Sequence, residues 1–146
     1  MDQDATSDVR LAAGATELVV AHSRVTMREE TARLIRSNEM KKGDVLGAAQ
    51  YAALQAAKSA PAYLPLLAAG TTLAPRVVFE VGDDYVDVHV EMTGRGPECT
   101  MPALSAATAA ALTIFDMCKG VDRTMAISRV AVDPAVDPAI DDAQGS

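Results

Sequence analysis

The sequence predicts an α+β fold, a ferredoxin-like antiparallel sheet with helices packed on one face. Three observations predict it. Val86, Val88, Val90 and Met92 alternate with Asp87, His89 and Glu91, the period of two expected of a strand with one covered face. Alanine-rich stretches with helical spacing stand before and after that strand. The elements run strand, helix, helix, hairpin, helix, strand, which gives four strands and a helical layer to cover their apolar side.

Residues 1–15 carry Asp, Gln, Ser, Thr and Gly without periodicity and are expected to form a mobile N-terminal arm. A single domain is expected over residues 16–132. Glu17 to Met27 reads as a strand with Val19, Ala21 and Val25 on one side. Arg28 to Arg36 reads as a helix closed by Ser37-Asn38. After Lys42-Gly43, Asp44 is placed to cap a helix running to about Lys58, and Pro61 ends it. Lys58 then compensates the helix dipole at the C-terminal end. Tyr63 to Gly70 follows as an apolar loop. Val77 to Val81 and Tyr85 to Met92 form a hairpin turning through Gly82-Asp83, and Thr93 to Pro97 is a loop. The long helix is expected from Met101 to about Val121, with Pro102 in its first turn, where a missing N–H costs little. Thr124 to Val132 is the last strand. Residues 133–146 repeat an Asp-Pro step and hold four acids and no base, the composition of a disordered tail.

A chain of 146 residues can bury enough surface to fold without disulfides or metals. Apolar residues make up 49% of it but aromatic ones only 3%, so the core must be built from Ala, Val, Leu, Ile and Met. The net charge of −7 argues against a nucleic-acid partner, which needs Lys and Arg to neutralise phosphates. No lipid-facing apolar run and no leader-like start are visible, so a soluble, cytoplasmic protein is expected. Cys99 and Cys118 lack metal-ligand spacing and read as reduced, buried thiols.

Asp116 and Lys119 are three residues apart at the end of the long helix and share one face; on spacing alone that is an exposed ion pair. Lys42 precedes a helix start, where a lysine and free amides together suit an anion. His22 and His89 are isolated in sequence, with no second ligand at a usable spacing, so no metal site and no cofactor are expected. Thr93-Gly94-Arg95-Gly96-Pro97 lacks the Lys-Ser or Lys-Thr ending of a P-loop and reads as a turn.

Phe115-Asp116-Met117-Cys118-Lys119, Lys42-Gly43-Asp44-Val45 and Gln55-Ala56-Ala57-Lys58 together resemble the molybdenum cofactor biosynthesis protein C (MoaC) family, the cyclic pyranopterin monophosphate synthases. The resemblance runs from about Leu18 to Val130. It implies a ferredoxin-like variant assembled as a hexamer, with the pocket between subunits. It also implies catalytic roles for Asp116 and Lys119 and a substrate-binding role for Lys42, toward a nucleotide- or pterin-type ligand. Lys119 would move a proton or hold an anionic intermediate, and Asp116 would orient or activate it.

Other positions depart from the family pattern. Where the family carries Leu-Cys-His-Pro, this chain has Leu66-Leu67-Ala68-Ala69. Where it carries Gly-Val-Glu-Met-Glu-Ala, this chain has Thr100-Met101-Pro102-Ala103 with Glu98 upstream. The family's basic C-terminal segment is replaced by the Asp-Pro tail. A positioned acid or base contributes ~10²- to 10⁴-fold to rate, so losing a histidine and two glutamates removes much of the acceleration. The expectation is therefore an inherited scaffold whose proton-handling groups around a buried acid and lysine have been stripped. Such a chain would be a degenerate homologue acting as a homo-oligomer, or as a hetero-oligomer with a complete relative. The alternatives are an active lyase, converting the cyclised dihydro-GTP precursor to cyclic pyranopterin monophosphate and pyrophosphate, or an enzyme repurposed for another nucleotide-derived substrate. Glu98 and His89 are the candidates to replace the lost groups.

Overall fold

The computed structural model describes residues 17–67, 74–94 and 96–133. The expected arm and acidic tail, and Ala68-Ala69 of the altered turn, lie outside the described residues. The elements are β1 (Glu17–Thr26), α1 (Glu29–Arg36), α2 (Val45–Ser59), a short 3-10 turn (Ala60–Ala62), β2 (Arg76–Val81), β3 (Tyr85–Gly94), α3 (Gly96–Cys118) and β4 (Ala126–Val132). This is the βαββαβ succession of ferredoxin-like folds with one additional short helix.

The four strands form one antiparallel sheet in the order β2-β3-β1-β4. β1 and β3 pair without interruption from Glu17 opposite Gly94 to Thr26 opposite Tyr85. The alternation read from the sequence sets which face is covered. Val19, Ala21 and Val25 of β1 and Val86, Val88, Val90 and Met92 of β3 are buried, while the residues between them stay partly accessible. Ser23 shares the buried face, and its hydroxyl donates to the Ala107 carbonyl of α3 at 2.9 Å. We expect Ser23→Ala to cost about 1 kcal/mol, the net worth of one such bond, read as a lowered urea midpoint at unchanged m.

The helices lie on the covered face through their alanines. Ala49, Ala53 and Ala57 recur every four residues on the buried side of α2, and Ala103, Ala106, Ala107, Ala110 and Ala111 do the same work on α3. Ile114 and Cys118 continue the α3 stripe to its end. By length and composition α3 could cross a bilayer, but its Ala103–Cys118 stripe is buried against the fold, and 44% of its apolar window is covered in this way.

Both ends of α3 differ from expectation: the helix takes in part of the expected Thr93–Pro97 loop and stops at Cys118, short of Val121. α3 begins at Gly96, so Pro102 stands inside the helix, with its ring fully buried, rather than in the first turn. The missing N–H removes one bond, to the carbonyl of the exposed Glu98, and the buried ring offsets part of that loss. At the handover from strand to helix, a Cβ on Gly94 would lie 2.7 Å from Cys99 Sγ, so only glycine lets β3 pass this close to the first turn of α3.

Candidate functional site

α3 ends in the turn that carries Asp116 and Lys119. The lysine Nζ is 2.8 Å from Asp116 Oδ1, and the side chains are 57% and 67% exposed, which corrects the expectation of a buried pair. The i, i+3 spacing that brings them together also turns both away from the Ile114–Cys118 stripe. The hydrogen bond and charge of Lys119 hold the Asp116 carboxyl below the usual carboxylate range, with Lys42 adding a smaller effect.

Lys42 arrives from the loop between α1 and α2. That loop turns through two left-handed residues, Asn38 at φ 57° and Gly43 at φ 117°, the second a conformation that favours glycine. Asp44 then caps α2, accepting from the Gly47 N–H at 2.9 Å. The cap fills the place an anion would take at that helix start. Lys42 instead reaches across, its Nζ 3.4 Å from the Asp116 carbonyl at the C-terminal end of α3, where the dipole favours a cation. The fold thus brings all three sequence-predicted site residues to one end of the molecule, through a different helix terminus from the one expected.

Sequence reasoning passed over Asp122, three residues beyond Lys119. Its side chain is fully buried and accepts from the Arg28 N–H at 2.8 Å, Thr31 Oγ1 at 2.7 Å, and the Thr124 N–H and Oγ1 at 2.8 and 2.6 Å. Arg28 Nε stands 3.5 Å away, and the same guanidinium donates to the Val121 carbonyl. Burial alone would raise the Asp122 pKa; the hydrogen bonds from Arg28, Thr124 and Thr31 outweigh it and hold the carboxyl far below its ordinary value. The carboxylate binds the turn after α3 to the start of α1, so the segment bearing Asp116 and Lys119 is fixed to its neighbours. Cys118, on the inward side of the same turn, is inert: burial pushes its thiol up to about 11, with Asp122 adding to the shift and Lys42 opposing it.

The altered positions carried by α3 lie toward its other end. At the rise of an α-helix, Thr100 is about 24 Å along α3 from Asp116, and Glu98 about 27 Å. Glu98 therefore supplies no carboxylate to the Asp116–Lys119 pair of its own chain. Nor does His89, which projects from the open face of the sheet, between the inward-facing Val88 and Val90. The two histidines, isolated in sequence, are neighbours in space: His22 pairs with His89 across β1 and β3, with ring centroids 5.9 Å apart. His22 Nδ1 also lies 2.9 Å from Asp133 Oδ1, close enough for an ion pair but without the alignment of a hydrogen bond.

Comparison with known proteins shows the family. The model of a family described as the MoaC family matches residues 7–135. Similar proteins include the molybdenum cofactor biosynthesis bifunctional protein of Chlorobaculum tepidum, 41% identical over 114 residues that cover 77% of this chain and 36% of that one. The chain thus spans little more than a third of that relative's length. The cyclic pyranopterin monophosphate synthase of Desulfitobacterium hafniense is 39% identical over 127 residues, covering 84% of this chain and 77% of that protein.

Proposed function

The chain belongs to the MoaC family, and from that premise we propose that it serves molybdenum cofactor biosynthesis as a degenerate homologue without normal cyclic pyranopterin monophosphate synthase activity. The observation that carries the reading is the pattern of substitution. Lys42, Asp116 and Lys119 are kept and meet at one end of the fold, whereas the two glutamate positions hold Thr100 and Pro102 and the histidine position holds Ala68.

The retained groups can bind and can hold charge. Lys42, Lys119 and Arg28 set against Asp116 and Asp122 leave this end net positive on an otherwise acidic protein, which supports a phosphate-bearing ligand. Ring opening, ring closure and cyclic phosphate formation need several proton transfers, and one exposed acid-lysine pair is a small set of groups for them. As a subunit, the chain would assemble with copies of itself, or lend its Asp116–Lys119 end to a complete relative.

Incubating the purified chain with the cyclised dihydro-GTP precursor and measuring pyrophosphate tests the reading. Release no greater than that of a Lys119→Ala variant is expected. Turnover that depends on Lys119, at a rate like that of complete relatives, would sink it and favour the active lyase, which the retained Asp116 and Lys119 would then serve.

A further inference from the structure

The open face of the sheet, opposite the helices, carries a second cluster of chemistry-bearing groups. Asp87 and His89 are two residues apart on β3 and so project from the same face. Glu80 of the neighbouring β2 stands directly opposite Asp87. A ligand atom from each of the three side chains lies within 4.8 Å of the other two. We propose that Glu80, Asp87 and His89 form a binding site for a divalent first-row transition metal ion of the Zn²⁺ type.

Charge is the first argument. Two carboxylates directly opposed on adjacent strands repel unless a cation joins them. Arg24 binds only one directly: its Nε and a terminal nitrogen hold the two Asp87 oxygens at 2.6 and 2.8 Å, its guanidinium lies 4.0 Å over the Tyr85 ring, and Glu80 feels its charge without contact. Glu80 and His89 have no hydrogen bond or ion pair among the described residues, so a carboxylate and an imidazole are left free to ligate. Two acids against one arginine leave one net negative charge on the carboxylates and guanidinium of the site to attract a divalent ion.

Geometry is the second. A carboxylate has about four lone-pair sites, so the fork from Arg24 leaves Asp87 capacity to ligate, and it fixes that carboxylate's orientation as outer partners of metal ligands do. Donors around a Zn²⁺ ion sit about 2.0–2.2 Å from it, so the three atoms close on the ion by small side-chain rotations. The backbone beneath them is a paired ladder and stays in place. One imidazole with two carboxylates is a borderline donor set, which selects Zn²⁺, Co²⁺ or Ni²⁺ over Ca²⁺ or Mg²⁺. His22, next to His89, faces Asp133 instead and stays outside the set. An ion here would tie the edge strand β2 to β3.

The test uses the full chain without any affinity tag. Titration calorimetry with Zn²⁺ is expected to give one ion per chain, and Co²⁺ is expected to show ligand-field absorption on binding. Glu80→Gln and His89→Ala should each weaken Zn²⁺ at least tenfold, and bound Zn²⁺ should raise the melting temperature of the unaltered chain only. His22→Gln should change the affinity by less than threefold. Absence of a saturable one-to-one site, or binding unchanged in both variants, overturns the proposal. So does an equal loss in His22→Gln, which is the mark of adventitious binding at a surface histidine. Glu80 is exposed, so its variant carries the test even if His89→Ala unfolds.

Discussion

Replacing Asp122 by alanine is expected to lower the unfolding free energy by about 3 kcal/mol at neutral pH, enough to threaten a domain of this size. The loss comes from what remains. The Arg28 N–H, the Thr31 and Thr124 hydroxyls and the Thr124 N–H all point at the buried carboxylate, and without it they lose their acceptor together. Because the folded pKa of Asp122 is depressed, its stabilisation is fully present above the ordinary carboxylate range. It is lost progressively as pH falls below that range toward the folded value. Denaturant unfolding at a series of pH values should therefore show the gap between the natural chain and Asp122→Ala narrowing below about pH 4. A gap under 1 kcal/mol at pH 7 would mean that the carboxylate does not hold the two turns together.

Ala107→Leu should destabilise by a similar amount, about 3 kcal/mol, through the opposite fault. Ala107 has no exposed surface, and its backbone carbonyl lies within hydrogen-bond reach of Ser23 on the sheet. Three added carbons there must push α3 off β1 or force neighbouring side chains out of their rotamers. In an interior with so few aromatic side chains, the alanines set how closely helix and sheet approach, and replacing Ala by Leu is not the conservative change it is on a helix surface. A melting temperature within 2 °C of the unaltered chain would show that the layers can separate without cost.

The hairpin and the two alanine-rich helices were legible because each depends on local periodicity. Val86 to Met92 repeat every second residue, Ala49 to Ala57 every fourth, and Asp44 caps its own helix three residues on. The start of α3 was not legible because Pro102 at a first turn is the commoner pattern, and the continuation back to Gly96 depends on Cys99 fitting against Gly94. Asp122 escaped notice for a related reason. An acid between Val121 and Arg123 reads as a solvated turn, and only contacts with Arg28 and Thr31, more than ninety residues earlier in the chain, reveal it as buried.

The candidate site divides in the same way. Asp116 and Lys119 meet by helix geometry alone, which their spacing announces. That Lys42 turns to the end of α3, and not to its own helix start, follows from the cap made by Asp44 and the left-handed turn at Gly43. The His22–His89 neighbourhood is set by the register of β1 on β3, which no local pattern encodes.

The strand order has a consequence for how the protein is made. β1 takes β3 on one edge and β4 on the other, although β4 is the last of the four described strands in the chain. During translation the first strand must wait, with one rail of its ladder unmatched, until residues up to Val132 have emerged from the ribosome. The helices can form early, but the sheet they cover closes only after synthesis has passed that point, and until then the nascent chain carries an open strand edge.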